Sequence, residues 1–377
     1  MDELEKILNN LEAEERNLLA TKTIIVLGAG ASFGSSLVNK HLRPPLINEF
    51  LKVANELGIL SKEDFKPLWD YLENQSGIPF SRILDMESER FLNIEQVYSL
   101  IAELDGEGKM EKTIERFLYE VLSETTKVYK NKTCKFHDMI LKKLRPDAII
   151  SFNYDLIIDR SLSFLYPNWE NYQISEYNLV YNGEKFIETE EYLSGKDFGN
   201  IDAKEFPALF KLHGSLNKYY DLIEWEQTRA RVRWIERRTD YIVPLKYAFD
   251  TPRLYQKRTL REYAPSTLQT TPWLYDDKTT EIKLDLTAPT LNKKRNDWEN
   301  VIDELKQAKK IVFFGYSMSD IDLWALRMFR LAYQKHQHKN ELIVEVVNYN
   351  EEVIQKVRSI YYDSRVENPA QTLREYC

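Results

Sequence analysis

An asparagine and a histidine each stand at the end of an apolar segment of this sequence. Asn153 follows the run AIISF, and His213 follows ALFKL and precedes a glycine. An amide orients a water molecule or a sugar hydroxyl without adding charge, and a histidine with an unperturbed pKa of about 6.5 is mostly neutral at neutral pH and accepts a proton. The two residues therefore predict a site that positions and activates a nucleophile. The alternatives are an asparagine that caps a turn and an exposed histidine in a tight turn.

A turn of small residues follows an earlier apolar segment, IIVL. Glycine at two of its positions allows a tight turn and a close approach to a pyrophosphate, with free N–H groups at the start of a helix facing the anion. The dinucleotide pattern G-x-G-x-x-G is incomplete, because Phe33 occupies its third glycine position. The turn predicts phosphate binding, and the alternative is an ordinary connection between a strand and a helix. Its residues are Gly28, Ala29, Gly30, Ala31 and Ser32.

Polar residues also follow the apolar run IVFF. We expect Gly315 and Ser317 to lie against a phosphate or a ribose, with a plain loop as the alternative, because ligands bind at the carboxyl ends of parallel strands. The two acidic residues that come next, Asp320 and Asp322, could both cap the following helix at its N-terminus, and for Asp320 we prefer that interpretation. His137 lies in a helical pattern, KFHDMILKKL, which is more typical of a structural histidine.

The elements that must position these residues alternate between apolar strands and amphipathic helices. This alternation predicts an α/β fold, a Rossmann-like parallel sheet with helices on both faces. Helical patterns dominate residues 45–145, which we interpret as a mostly helical insertion, and residues 165–290 form an irregular, tyrosine-rich region. Residues 1–20 predict an amphipathic helix that packs on the domain or joins subunits, and residues 21–377 then form the main domain.

Composition is typical of a soluble cytoplasmic enzyme. The chain has 377 residues, a formal net charge of −8 and two cysteines, Cys134 and Cys377. No apolar run reaches the ~18–20 residues of a membrane span, and the acidic N-terminus does not resemble a signal peptide. Two distant cysteines are too few for a disulfide framework or a four-cysteine zinc site. The negative charge argues against binding nucleic acid by general electrostatics, and we expect no metal and no membrane contact.

In this order the motifs resemble the sirtuin-like NAD-binding family, and in particular its bacterial NAD-hydrolysing branch in anti-phage defence. The resemblance covers most of residues 22–355. It implies that the catalytic pair is Asn153 and His213, and that Asp155 lies near the nicotinamide amide or supports its loop. It also implies that Asn348 contacts the adenosine ribose, a role for which Asn350 competes. The motifs that carry it are GAGAS, N-x-D, HGS, GYS and an asparagine after the last apolar strand.

The resemblance implies that NAD+ is the substrate. The sequence departs from the protein-deacylating sirtuins, because Phe152 replaces the glutamine before the catalytic asparagine and the four zinc cysteines are missing, whereas Arg43 and the Pro44-Pro45 step resemble the defence branch. Water is then the simplest acceptor of the ADP-ribosyl group. The expected reaction is hydrolysis of NAD+ to nicotinamide and ADP-ribose without a metal. The alternatives are a deacylase or ADP-ribosyl transferase and a non-catalytic subunit that senses NAD or ADP-ribose.

The same resemblance implies a role and partners. It implies the NAD-depleting effector of a bacterial anti-phage, abortive-infection system. An NAD hydrolase that was always active would kill its own cell, so control by another component is expected. The resemblance implies a homo-oligomer and a protein partner such as a HerA-type ATPase or another phage sensor.

Overall fold

The computed structural model of the chain describes most of the sequence, and the helix expected over residues 1–20 lies outside that part. The described residues are 22–33, 43–77, 79–83, 92–105, 109–184, 186–194, 206–228, 231–248, 258–259, 279–280, 283–286 and 295–377. In chain order their strands are β1 (Thr23–Leu27), β2 (Ala148–Ser151), β3 (Leu179–Tyr181), β4 (Phe186–Glu188), β5 (Ala208–Lys211), β6 (Gly214–Thr228), β7 (Arg231–Ile242), β8 (Arg258–Thr259), β9 (Thr279–Thr280), β10 (Lys283–Leu286), β11 (Lys310–Phe314), β12 (Ile343–Val347) and β13 (Arg365–Glu367).

The helices of the described residues fall mainly into two groups, one before β2 and one after residue 295. They are α1 (Ala29–Phe33), α2 (Phe50–Glu56), α3 (Lys66–Ser76), α4 (Phe80–Ile83), α5 (Ile94–Leu104), α6 (Lys109–Thr126), α7 (Lys135–Leu144), α8 (Ile157–Leu165), α9 (Trp169–Ser175), α10 (Thr189–Leu193), α11 (Arg295–Leu305), α12 (Leu323–Lys335), α13 (Glu351–Ile360) and α14 (Leu373–Tyr376). Among these residues no helix is both long enough and apolar enough to span a membrane.

Six parallel strands form the central sheet, in the order β13-β12-β11-β1-β2-β5. The chain moves from β1 through β2 to β5 at one edge, and then returns through β11 and β12 to β13 at the other. The direction of winding therefore reverses between β1 and β11. This confirms the predicted Rossmann-like parallel sheet, and the loops that diverge at such a reversal leave a crevice at the carboxyl ends of the strands.

Both faces of this sheet are covered, as the alternation of side chains along β1 shows. Ile25 and Leu27 belong to a core that contains Phe117 of α6, whereas Ile24 and Val26 belong to a second core that contains Phe329 of α12. Successive strand residues point to opposite faces, so a strand that is buried on both sides is apolar at every position. This is why the strand segments are continuous apolar runs in the sequence.

A second, five-stranded sheet is built from the tyrosine-rich region, in the order β10-β6-β7-β3-β4. Its pairs are antiparallel except for β3 with β7, which run parallel. This region is therefore more regular than the sequence indicated. Two of its pairs, β6 with β7 and β3 with β4, are hairpins of consecutive strands. The other two, β10 with β6 and β3 with β7, join strands that are far apart in the chain, and no local pattern reports such pairing.

The helices α2 to α7 all lie between β1 and β2 in the chain, where the sequence predicted helical segments. Local signals define their ends. A capping box starts α5, because the Asn93 side chain accepts from the backbone N–H of Gln96 while the Gln96 side chain accepts from that of Asn93. The left-handed conformation of Arg145 (φ 41°) ends α7, and Pro146 follows it. The capping box brings Glu95 into the first turn of α5, which faces the crevice described below.

His137 lies inside α7 and is 1% exposed. Neither of its ring nitrogens has a hydrogen-bond partner among the described residues, and its burial inside a helix agrees with the interpretation of a structural histidine. Burial disfavours the charged imidazolium and lowers the pKa of His137 from 6.5 to about 4. The folded state therefore binds this proton more weakly than the unfolded chain does. Its contribution to stability is complete above pH 6.5 and is lost as the pH falls towards 4.

We expect His137→Leu to remove part of the acid sensitivity of the fold. In the wild-type protein, protonation of His137 should cost up to about 3 kcal/mol of stability between pH 6.5 and pH 4. Urea midpoints measured across this range should fall less steeply for His137→Leu than for the wild type. The matched control is His338→Leu, which replaces an exposed histidine. Equal slopes for the wild type and His137→Leu would contradict the prediction.

Candidate functional site

The turn after β1 and the loop after β11 meet at the point where the winding of the sheet reverses. Gly28 N–H donates to the Phe314 carbonyl at 3.0 Å, and Gly30 N–H donates to the Gly315 carbonyl at 2.9 Å. The next N–H in the turn, that of Ala31, donates to the Gly28 carbonyl at 2.9 Å. These three N–H groups are therefore not free to face a phosphate, contrary to the expectation from the sequence. Those of Gly28 and Gly30 join the two loops into one floor, and that of Ala31 closes the turn itself.

The glycines of this floor are needed for contact between the loops. A Cβ atom at Gly28 would lie 2.4 Å from the Tyr316 Cα, and one at Gly30 would lie 2.7 Å from the Gly315 Cα. Gly315 itself has a φ of +55°, and a Cβ there would lie 2.4 Å from the Ala31 nitrogen. Any side chain at these positions would force the loops apart. The close backbone approach predicted from the sequence is present, but it joins the two loops to each other.

Asn153 lies on this floor, two residues after the end of β2. Its Nδ2 donates to the Gly28 carbonyl and to the Ser32 hydroxyl oxygen, both at 2.9 Å. A carbonyl only accepts hydrogen bonds, so the amide nitrogen must face Gly28 and Oδ1 must face away from it. The amide is thereby held in one orientation, with its oxygen left as an acceptor for a ligand or a water molecule.

Asp155 holds the Ser32 hydroxyl that accepts from Asn153. It is 4% exposed, and its carboxylate accepts from the Ser32 hydroxyl at 2.6 Å and from the Ile157 N–H at 3.0 Å. Because β2 ends at Ser151, Asp155 does not continue a strand face with Asn153, and its carboxylate stabilises the first turn of α8. Burial raises the pKa of Asp155, and the charge of Lys211 opposes that shift.

Lys211 is a buried residue behind the site that no sequence pattern indicated. Its side chain is 0% exposed, and its Nζ lies 3.0 Å from the Asp159 carboxylate and donates to the Asp155 backbone carbonyl. A fully buried lysine is rare unless it is paired. This pair ties the end of β5 to the segment that carries Asn153.

His213 is also buried, two residues beyond β5. Its ring centroid lies 5.2 Å from that of Phe152, and its Nε2 lies 3.1 Å from the Asp322 carboxylate. The same carboxylate accepts from the Tyr316 hydroxyl at 3.1 Å. His213 is therefore held by a carboxylate, as a proton-accepting histidine often is, but it is not among the residues that line the cavities described below.

The helix cap after β11 is Asp322, one of the two acidic residues that the sequence offered for it, and not the preferred Asp320. Asp322, and not Asp320, accepts from the Ala325 N–H at 3.1 Å and caps α12. A cap must directly precede the first helical residue, which is Leu323, so the prediction for Asp320 was wrong. Asp320 is exposed and pairs with Lys356 at 2.9 Å.

Two cavities lie on the floor formed by these loops. The smaller has a volume of about 70 Å³, which is room for about five water molecules, and apolar side chains such as Phe50 and Phe152 form much of its wall. The larger has a volume of about 650 Å³, within the usual range of ligand sites. Four residues line both cavities, so the two adjoin: Ala29, Ile47, Glu95 and Ser317.

The structure brings all the site residues predicted from the sequence to these cavities, with His213 as the exception. The smaller cavity is lined by Gly28, Ala29, Ser32, Asn153, Asp155 and Ser317, among others. The larger is lined by Ala29, Gly30, Ala31, Gly315, Ser317 and Asn348, among others.

The outer part of the larger cavity carries polar and charged side chains. Asn348 and Asn350 both line it, and the Asn350 side chain also caps α13 by accepting from the Glu352 N–H at 2.9 Å. Three cationic residues line the same cavity, Arg43, Lys356 and Arg374, together with three acidic ones, Glu95, Asp320 and Glu352. Asp320 pairs with Lys356, which leaves Arg43 and Arg374 as the cations available to a ligand at this end. Cations in a concave site favour an anionic ligand such as a pyrophosphate. In the described residues no group of three or more histidine, cysteine or acidic side chains could hold a metal ion.

Comparison with known proteins gives structural likenesses only. No protein-family model matches the chain, and no curated protein matches it. Sir2Tm bound to a propionylated peptide is 13% identical with a TM-score of 0.38. The match covers 97% of the present chain and 94% of Sir2Tm. A Sir2 homologue in complex with NAD is 12% identical with a TM-score of 0.40. The match covers 94% of the present chain and 87% of the homologue.

A third structure is a mutant Sir2 homologue in complex with 2′-O-acetyl ADP-ribose. It is 11% identical with a TM-score of 0.37, and covers 92% of this chain and 95% of its own. Identities and TM-scores this low do not carry a family, an activity or a ligand over to the present chain.

Proposed function

We propose that this protein is a sirtuin-like NAD+ hydrolase that cleaves the bond between nicotinamide and ribose. The observation that carries the proposal is the convergence of residues 28–32, 153–155, 315–317 and 348 on two adjoining cavities where the winding of the sheet reverses. Dinucleotides bind at this position in doubly wound sheets. These segments carry four of the five motifs whose order resembles the NAD-hydrolysing family; the fifth, HGS, begins at His213, outside the cavity lining.

The larger cavity suits the ADP part of NAD+. Its cationic side chains would face the pyrophosphate, and Asn348 or Asn350 would contact the adenosine ribose. The nicotinamide end would then lie towards the smaller cavity, beside Asn153 and Asp155. The bond to be broken would fall near the junction of the two cavities.

The reaction needs no general acid. When the C1′–N bond breaks, the electron pair stays on the pyridine nitrogen, and the cationic ring leaves as neutral nicotinamide. The site must stabilise positive charge at C1′, hold the ribose and orient a water molecule on its open face. Asn153 suits the last two tasks, because its amide oxygen is held in place and adds no charge.

The biological role is part of the same proposal. A hydrolase that depletes NAD would serve as the effector of a bacterial anti-phage, abortive-infection system in the cytoplasm. Such an enzyme must stay silent until infection, which supports assembly with itself and with a controlling protein such as a HerA-type ATPase or another phage sensor.

One observation favours a second candidate, a subunit that binds NAD or ADP-ribose without turnover. His213, the base implied by the family resemblance, lies outside the residues that line the two cavities. A site that kept the binding loops without a base would bind and not cleave. A deacylase or ADP-ribosyl transferase has no comparable support in the geometry.

One experiment separates these candidates. The purified chain is incubated with NAD+, alone and with an acylated peptide or an acceptor protein, and nicotinamide release is followed by chromatography. A hydrolase releases nicotinamide without any acceptor. Release only with an acceptor would indicate a transferase or deacylase. Calorimetric binding of NAD+ that stays intact would indicate the sensing subunit.

A further inference from the structure

Glu95 lies where the two cavities adjoin. Of the four residues that line both, it is the one with a charged side chain. It belongs to the first turn of α5, whose start is defined by the capping box at Asn93 and Gln96. The helical region between β1 and β2 therefore delivers a carboxyl group to the crevice of the parallel sheet.

One oxygen of this carboxyl group has no partner. Glu95 Oε2 is shielded from solvent and makes no hydrogen bond within the described part of the chain. Burial raises the pKa of Glu95; the charge of His213 and a hydrogen bond with Ser319 oppose the shift, and the charge of Asp322 adds to it. A buried carboxylate oxygen without a partner costs free energy until a proton, a donor or a positive charge satisfies it. A bound ligand that brings a hydroxyl, a water molecule or a cationic centre would do so.

His213 is placed differently. Its Nε2 faces Asp322, its ring packs on Phe152, and Phe152 itself forms part of the smaller cavity's wall. The ring centroid of Tyr154, which also lines that cavity, lies 6.2 Å from that of His213. His213 therefore packs behind the aromatic wall that Phe152 and Tyr154 form, and it helps to position that wall. Glu95, in contrast, lines both cavities directly.

We propose that Glu95 is the general base of the hydrolysis and that His213 is a positioning residue. The assignment rests on the function proposed above. The C1′–N bond breaks and nicotinamide leaves with the electron pair. The oxygen of a water molecule held by Asn153 then bonds to C1′, and one of its protons passes to Oε2 of Glu95. The carboxylate also faces the positive charge that develops at C1′, and the proton is later lost to solvent.

The test compares hydrolysis with azidolysis in the full-length chain. Azide attacks C1′ without a proton to remove, so it bypasses a missing base and forms ADP-ribosyl azide. Glu95→Gln should lower the rate of ADP-ribose formation by ~10²-fold or more, and sodium azide should restore nicotinamide release. His213→Asn should lose activity without recovery in azide. Glu95→Asp, which keeps a carboxylate, should retain more activity than Glu95→Gln.

The matched control is Glu103→Gln, an exposed glutamate on the same helix, which should hydrolyse NAD+ at the wild-type rate. Binding of ADP-ribose by calorimetry shows that each variant is folded. Hydrolysis of NAD+ by Glu95→Gln at the wild-type rate would overturn the assignment. So would a folded Glu95→Gln variant whose nicotinamide release azide does not restore. Recovery of nicotinamide release by azide in His213→Asn, and not in Glu95→Gln, would also overturn it. Wild-type protein that leaves NAD+ intact would instead overturn the proposed function.

Discussion

Asn153→Ala should lower NAD+ hydrolysis by ~10²–10⁴-fold while leaving the binding of ADP-ribose nearly unchanged. The substitution removes the amide oxygen that orients water and ribose, and this interaction matters most as charge develops at C1′. It also removes the donor to the Gly28 carbonyl and the Ser32 hydroxyl, so a loss of stability of ~1–2 kcal/mol is expected. Initial rates at saturating NAD+ and calorimetry with ADP-ribose measure the two effects separately.

The matched control for this variant is Asn55→Ala, which replaces an exposed asparagine of α2 that lines neither cavity. It should hydrolyse NAD+ as the wild type does. If Asn153→Ala also kept the full rate, the amide would have no part in the reaction. If it lost ADP-ribose binding together with the rate, its role would be to hold the floor of the cavity.

Lys211→Met should be the most destabilising of the substitutions considered, with an expected loss of ~3–5 kcal/mol. The side chain is fully buried, and its removal leaves the Asp159 carboxylate and the Asp155 carbonyl without their partner. The midpoint of urea unfolding should fall accordingly. Activity should fall as well, because the segment that carries Asn153 is tied to β5 through this lysine.

A second substitution distinguishes the loss of the ion pair between Lys211 and Asp159 from the loss of packing by the Lys211 side chain. Lys211→Met combined with Asp159→Leu removes both charges, and it should recover much of the stability, since the cost comes mainly from the carboxylate left alone. Lys142→Met, at an exposed position on α7, is the matched control and should leave the midpoint near that of the wild type. If Lys211→Met alone were as stable as the wild type, Asp159 would be satisfied without Lys211.

The sequence predicted the parallel sheet and the polar residues at the carboxyl ends of its strands, because those features follow from local patterns. Continuous apolar runs identify strands that are buried on both faces, and polar residues at their carboxyl ends must meet at one edge of the sheet. Gly28, Asn153 and Gly315 were found in this way, although they are more than a hundred residues apart in the chain.

The features that the sequence did not reveal depend on contacts between distant segments. Glu95 sits in an ordinary amphipathic helix, and only the packing of that helix on the sheet brings its carboxyl group to the crevice. The burial of Lys211 and the pairing of His213 with Asp322 are likewise set by tertiary packing. The N–H groups of Gly28 and Gly30, which we expected to be free, are bonded for the same reason, because their acceptors at Phe314 and Gly315 come almost three hundred residues later.

The measurement that tests the central claim most directly is the ratio of the two products from one reaction of purified wild-type protein with NAD+. Nicotinamide and ADP-ribose are quantified by chromatography at successive times, without any acceptor protein. We predict that both appear in equal amounts as NAD+ disappears. NAD+ that stays intact while bound, or nicotinamide released without matching ADP-ribose, would contradict the assignment of this protein as an NAD+ hydrolase.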